Sequence, residues 1–391
     1  MKIDYNKQKG GEDMKVVAMI DSFKGCATSE ELNQAVLAGL PDEIWTEKCT
    51  IPIADGGEGT MAAIYAELGG TWQSVTTQDP LGKPITGQYL LSRFEGQEIA
   101  VIESAVFIGI HLVEVSDTVI RQTSSYGLGK VIQDALAHRV TQIYLTLGGS
   151  ATSDGGLGLL QSLGAIIEGS EEGNPLININ NVDLKGLQGE LDDVELVALA
   201  DVTNPYLGKR GFAKIFAPQK GASKNTVNEM EQQAQLVAKK IKQQTNLDLA
   251  TISGSGAAGG LGGAVVVLGG EIAPGFVTLQ KIIRLEEKLK QADLIFTGEG
   301  KMDGQTDQGK VPFGVAQLAK KAGIPVIGLC GSRTRDIGKM TEVTLGVFSI
   351  QQGPISLKKA MEKEQTLANI QQLASELSQV FMYKKRNCLD F

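Results

Sequence analysis

The residues best equipped for chemistry in this chain are carboxylates set beside glycine. Asp55 and Glu58 lie in residues 55–60 (DGGEGT), Asp154 closes 148–154 (GGSATSD), and Glu299 and Asp303 flank Lys301 in 298–303 (GEGKMD). Residues 253–257 (SGSGA) and 304–310 continue the pattern. A glycine turn between a strand and a helix start presents unpaired N–H groups and a positive helix end, which suit phosphate. Phosphoryl transfer also needs a Mg2+ shared between one or two carboxylates and phosphate oxygens, cationic donors, and a group that accepts the hydroxyl proton. Asp55, Glu58, Asp154, Asp201, Glu299 and Asp303 are candidates for metal and base, and Lys24 and Lys301 for charge. Any one cluster alone is more simply an ordinary tight turn. Several converging together would suit a nucleotide and its metal.

Other signatures narrow the class. No cluster matches the P-loop pattern, and no GxGxxG follows a strand with the acidic residue of a dinucleotide fold, so both of those readings are disfavoured. Histidine is limited to His111 and His138, the first expected to be packed and the second at the surface, so a histidine base is not expected. The chain holds 48 glycines in 391 residues, where average usage of about 7% predicts about 27. That excess is gathered into clusters, as expected where backbone must turn to positive φ or approach a ligand closely. A net charge of -8 with no basic stripe argues against a nucleic-acid partner. No apolar run approaches membrane-spanning length. Cys26, Cys49, Cys330 and Cys388 are scattered without metal-ligand spacing, and residues 1–13 lack the apolar core of a signal peptide. A disordered N-terminal extension, a reducing cytoplasm and no membrane association are the expectations.

These residues need a frame, and alternating strands and helices supply it. Residues 15–20 (KVVAMI) read as a strand, followed by a loop and a helix opened by Thr28 and Glu31 at capping-box spacing. The same order recurs at 143–147 (IYLTL) before a glycine loop and the helical 156–164, and at 293–296 (DLIF) before the loop 297–310. Pro312 suits a first helical turn and Gly323 a helix end. Residues 98–103 alternate like a half-buried strand, 195–200 read as a buried one, and 227–244 and 357–381 as long helices. Residues 259–270 (GGLGGAVVVLGG) are ambiguous and are assigned to helix. The pattern implies βαβ units, a parallel sheet and an α/β fold.

Read as strings, the loops resemble those of the type I glycerate kinases, the bacterial glycerate 2-kinase family, in order and separation. They are residues 21–25 (DSFKG), 52–60 (PIADGGEGT), 79–82 (DPLG), 125–127 (SYG), 147–152 (LGGSAT), 201–205 (DVTNP), 218–221 (PQKG), 256–262 (GAAGGLG), and 297–300 (TGEG) with 303–306 (DGQT). Coverage runs from about Met14 to the last helix. Departures lie at Met19-Ile20, Cys26-Ala27, Ser153 and residues 104–109, the last a stretch that would bear on acceptor choice.

The resemblance implies two α/β domains. One is a flavodoxin-like or Rossmann-like parallel sheet built from both chain ends, residues 14–85 plus 285–385, and the second is an α/β domain inserted at 86–284, with the active site in the cleft. It implies ATP and Mg2+, with glycerate phosphorylated, in bacterial members generally at the 2-hydroxyl. On this basis Lys24, Asp201 and Asp154 are the catalytic candidates, the last two as alternative bases. Asp55, Glu58 and Glu299 are candidate metal ligands. Asp21, Ser22, Gly56, Gly57, Gly149, Ser150, Thr152, Asn204, Gly254, Ser255, Gly256, Gly298, Lys301, Asp303 and Thr306 are candidates for binding substrate or nucleotide. Lys24 and Lys301 would meet phosphate or carboxylate, and Ser255 with its flanking glycines phosphate oxygens. The partners expected are glycerate and ATP, with a monomer or homodimer. Alternatives are a kinase for another small hydroxy acid, or a non-catalytic regulator binding a small acid or phosphoester.

Overall fold

A computed structural model describes residues 13–387 apart from 170–172, 188, 192, 305 and 307–309. Residues 1–12 of the expected extension, Cys388 and part of the 304–310 cluster therefore lie outside the described residues. Among those described, the strands are β1 Lys15–Ile20, β2 Glu47–Thr50, β3 Thr71–Gln78, β4 Pro84–Phe94, β5 Gln97–Glu103, β6 Gln142–Thr146, β7 Ile166–Glu168, β8 Asn181–Asp183, β9 Glu195–Leu199, β10 Glu271–Ala273, β11 Leu294–Met302, β12 Val326–Arg333 and β13 Gly346–Ser349. No described helix is long and apolar enough to cross a membrane. Two compact units form, Met1–Ile53 with Leu285–Phe391, and Ala54–Arg284.

The first unit carries a five-stranded, all-parallel sheet in the order β13-β12-β11-β1-β2. Counted along this unit alone, that is the 2-1-3-4-5 order of flavodoxin-like folds, which reverses between β1 and β11. Alternate residues of the strands face opposite sides, so Val16, Ala18, Ile20, Phe296 and Leu329 pack with Leu32, Val36, Trp45 and Ile370 on one face. Met302, Cys330 and Val347 pack with Phe313 and Met340 in a second cluster. The helix Ser29–Gly39 starts where expected: the Thr28 hydroxyl accepts from Glu31 N–H, and the Glu31 carboxylate accepts from Thr28 N–H, a full capping box. The helix ends at Gly39, where a Cβ would lie 2.0 Å from the Gln371 carbonyl oxygen, so glycine permits close approach of the C-terminal helix Lys363–Asn387. Residues 357–381, expected as one helix, are interrupted after Ala360, with a short helix Leu357–Ala360 preceding the long one.

The glycine-rich stretch after residue 296, expected as a loop, continues as strand to Met302. Gly298 pairs with Ile20 on one side and Leu329 on the other, and a Cβ there would sit 2.1 Å from the Leu329 carbonyl oxygen. This glycine answers to sheet packing.

The second unit holds a six-stranded sheet ordered β10-β9-β6-β5-β4-β3 and a two-stranded β7-β8 ribbon. Strands β10, β9, β6 and β5 are parallel, while β4 and β3 add antiparallel hairpins. That ladder explains a correction to the expected boundary near residue 86: β3 pairs with β4 and β4 with β5, so residues 54–85 belong with the second unit. The β3–β4 turn is organised by Asp79, whose Oδ1 accepts from Leu81 and Lys83 N–H at 2.8 and 2.9 Å. Strand β5 is buried from Ile99 to Glu103 instead of alternating, because it lies inside the sheet between β4 and β6. The valine-rich stretch is helical, Ala257–Val267, and opens through left-handed Ala258, Gly259 and Gly260. His111, expected to be packed, is exposed on the turn Ile110–Leu112, and His138 is exposed as well.

Candidate active site

In the first unit the candidates gather at the carboxyl ends of β1 and β11, the point of order reversal where open α/β sheets bind ligands. Asp21 N–H donates to the Gly298 carbonyl at 2.9 Å, and the buried Asp21 carboxylate accepts from Ser22 N–H at 2.7 Å. The Ser22 Oγ is buried and has no hydrogen-bond partner among the described residues. Phe23 and Ala27 pair backbone to backbone, closing a small loop that turns at Gly25 (φ 75°) and leaves Lys24 exposed.

Glu299 follows on β11. Its Oε1 accepts from the Thr306 hydroxyl at 2.8 Å, and its Oε2 pairs with Lys310 Nζ at 3.0 Å. Burial pushes this carboxyl above its ordinary range, opposed by Lys310 and Thr306. Both Glu299 oxygens are thus engaged by the chain, which does not fit the expected metal ligand. Thr306 is likewise internal, donating to Glu299 and accepting from Asp303 N–H at 3.1 Å. Lys301 points outward beside Asp303, 3.2 Å apart, with 64% of its side chain exposed.

In the second unit the candidates divide into a working edge and a scaffold. The edge forms where β6 and β9 end. Asp55 Oδ1 accepts from Gly57 N–H at 3.0 Å, and Asp201 Oδ1 accepts from Gly275 N–H at 2.8 Å, at the start of the helix Gly275–Ile282. Gly56 (φ 83°) presses against Gly275, a Cβ on Gly56 falling 2.4 Å from the Gly275 Cα, and a Cβ on Gly148 would lie 3.2 Å from the Gly57 Cα. Asp55, Asp201 and the loop Gly148-Gly149-Ser150 are therefore neighbours, and glycine is what lets their backbones close up. Gly149 (φ 74°) supplies the turn. Ser150 is held from below by Lys220, whose buried Nζ donates to Ser150 Oγ at 3.0 Å and to the Thr152 carbonyl at 2.5 Å. The Thr152 and Ser153 hydroxyls are buried with no partner among the described residues.

The scaffold consists of groups that have spent their polar capacity internally. Asp154 is wholly buried: Oδ2 accepts from Ser125 N–H (2.8 Å), Ser125 Oγ (2.7 Å) and Gly158 N–H (3.2 Å), and Oδ1 from Gly156 N–H (3.0 Å). Burial raises its pKa while these donors lower it. So placed, Asp154 fixes the loop and is not positioned to take a substrate proton. Ser255 also faces inward, its Oγ 2.8 Å from the Leu249 carbonyl and 2.7 Å from that of Ile252, away from the role expected for it at phosphate. Gly256 N–H donates to the Asn204 carbonyl at 3.0 Å, Asn204 Nδ2 to the Arg210 carbonyl at 2.8 Å, and Gly254 turns at φ 82° against Ile272. These glycines allow backbone to meet backbone.

The start of the helix Thr60–Leu68, which follows the glycine cluster 55–60, is occupied by Glu103 from the end of β5. Its carboxylate accepts from Met61 N–H at 2.8 Å and also from the Gly59 and Thr60 N–H groups. Burial pushes Glu103 up to about 7, against those N–H donors and with help from nearby Glu58. Sequence reasoning assigns no role to Glu103, Lys220, Lys310 or Ser125, although Lys220 and Ser125 lie in the matched strings 218–221 and 125–127 and Lys310 closes the cluster 304–310.

Hard carboxylate oxygens at Asp55 and Asp201, on loops in contact, fit Mg2+ in its usual form, where one or two carboxylates share the ion with phosphate oxygens and water. Among the described residues no three His, Cys, Asp or Glu side chains form a complete cage.

Comparison with known proteins places the chain. The model of the glycerate kinase family matches residues 16–382. A glycerate 2-kinase of Escherichia coli is 38% identical over 349 residues, covering 86% of this chain and 90% of that protein. A glycerate kinase of Halalkalibacterium halodurans is 36% identical over 380 residues, covering 95% and 99%. A crystal structure assigned to glycerate kinase 2 from Salmonella typhimurium LT2 superposes with a TM-score of 0.78 at 32% identity, covering 96% of this chain and all of that one. With strings, fold and near full-length matches in agreement, the chain belongs to the glycerate kinase family.

Proposed function

We propose that this enzyme transfers the γ-phosphoryl group of ATP to D-glycerate and releases 2-phospho-D-glycerate, with Mg2+ as cofactor, in the cytoplasm. The observation that carries the reading is the contact of the Asp55, Asp201 and Gly148–Ser150 segments at the sheet end of the second unit, within a chain matched to the family from residue 16 to 382. Asp201 is the base for the glycerate hydroxyl, since its carboxylate stands half-buried at a strand end while Asp154 is consumed by the loop. Asp55 is the carboxylate that would hold Mg2+, with Glu58 close in sequence, which leaves Asp201 for the proton. The ion would neutralise charge on the phosphates. Lys24 and Lys301 supply positive charge at the crevice of the first unit, where Ser22 offers a buried hydroxyl. Donors aimed at developing charge account for most phosphoryl-transfer catalysis, so these groups matter more than any covalent step.

Asp201→Asn should lower kcat at least about a hundredfold with a modest change in KM, because proton acceptance is needed only in the transition state. Near-normal turnover would remove Asp201 from the role. Phosphorus NMR of the product separates the 2-phosphate from the 3-phosphate.

A further inference from the structure

Lys220 is a charged side chain in a place that favours none. It is wholly enclosed, it sits on the short turn Pro218–Lys220, and it reaches 70 residues back in sequence to Ser150. A buried ammonium is costly unless its hydrogens are used, and an apolar residue of like size would fill the space at lower cost. Two of its three donors are spent on the working loop, on Ser150 Oγ and on the Thr152 carbonyl. A serine oxygen that accepts from an ammonium keeps its own proton to give. The Thr152 and Ser153 hydroxyls that follow it in the loop, both fully buried, lack hydrogen-bond partners among the described residues. A hydroxyl held by an enclosed cation, in a loop with two buried hydroxyls that lack partners, has the donor capacity an anionic oxygen requires.

We propose that Lys220 is a positioning residue, holding Ser150 as a hydroxyl donor aimed at an anionic oxygen of the bound ligand. The inference rests on the kinase reading for the identity of that ligand, either the carboxylate of the hydroxy acid or a phosphoryl oxygen of the nucleotide. Burial lowers the Lys220 pKa to about 7, partly offset by Asp154, the charged group acting on it from the loop. The ammonium is therefore present below that pH and lost above it, and anion affinity should fall as pH rises through about 7.

Three variants of the full-length enzyme test this: Lys220→Met, Ser150→Ala and the pair combined. Calorimetric titration with glycerate alone and with MgADP alone, from pH 6 to 9, needs no turnover and tells the two anion sources apart. Ser150→Ala should weaken one of the two ligands about tenfold near pH 6.5, the scale of a hydrogen bond to a charged group. Lys220→Met should weaken the same ligand at least as much, and the double variant no more than Lys220→Met. The pH-dependent fall should disappear in Ser150→Ala. Losses that add in the double variant would overturn the proposal, as would a Lys220→Met protein that melts lower yet binds both ligands normally. Should Lys220→Met fail to fold, the pH profiles of wild type and Ser150→Ala still decide, and identical profiles would refute it. A wild-type enzyme that binds glycerate and MgADP but releases no ADP with both substrates would instead refute the kinase reading alone.

Discussion

The two units handle charge in opposite ways. At the crevice of the first, apart from the buried Asp21, the ionisable side chains form short pairs toward solvent, Lys301 with Asp303 and Lys310 with a more buried Glu299, while Lys24 stands at a loop tip. In the second, Glu103, Asp154 and Lys220 are enclosed, each tied to backbone or hydroxyl groups of a loop. A glycine-lined helix start is therefore not by itself a ligand site. Two in the second unit already hold the chain's own carboxylates, Glu103 at Gly59–Met61 and Asp154 at Gly156–Gly158. The anion-binding capacity left over lies between them, in the loop from Gly148 to Thr152.

This contrast is open to attack, most forcefully at Asp154. Asp154→Ala would strand the Ser125, Gly156 and Gly158 N–H groups in the interior, and a loss of about 3 kcal/mol or more in unfolding free energy is expected by denaturant titration. A loss under about 1 kcal/mol would show that the loop does not depend on it. Next comes Glu103, whose folded pKa is raised to about 7 from an ordinary 4.5. The folded protein holds this proton more tightly than the unfolded chain, so the stabilisation is complete below about 4.5 and is lost as pH rises through about 7. The expected loss from this group is about 3 kcal/mol, and Glu103→Gln should remove the slope while keeping an acceptor for Met61. Thr28→Ala, which removes one half of the capping box in the first unit, should cost about 1 kcal/mol in the same titration. Smallest of all is Lys301→Ala, because an exposed pair contributes under about 1 kcal/mol. Any large kinetic defect in that variant would then belong to ligand binding.

What could be read in the residues follows how local each cause is. The capping box at Thr28 and Glu31, the strand of residues 15–20 and the αβ alternation are set by near neighbours, and all three stand in the structure. Gly298 looked like a loop residue because glycine marks loops and tight packing alike, and only its strand partners Ile20 and Leu329 tell them apart. The hairpins that draw residues 54–85 into the second unit depend on pairing partners, which periodicity within one strand does not reveal. Asp55 and Asp201 were identifiable as carboxylates beside turns, and the structure brings them to one edge through Gly275. Glu103 and Lys220 were not, since charged residues at a strand end and on a turn are ordinarily solvated. Their enclosure comes from segments far along the chain.

The central claim is phosphoryl transfer to glycerate, and a coupled assay for ADP release tests it most directly. With ATP, Mg2+ and D-glycerate present, ADP should appear at a rate that vanishes when glycerate is left out and falls at least about a hundredfold in Asp201→Asn. ADP release that is indifferent to glycerate, or none with all three present, would contradict the account.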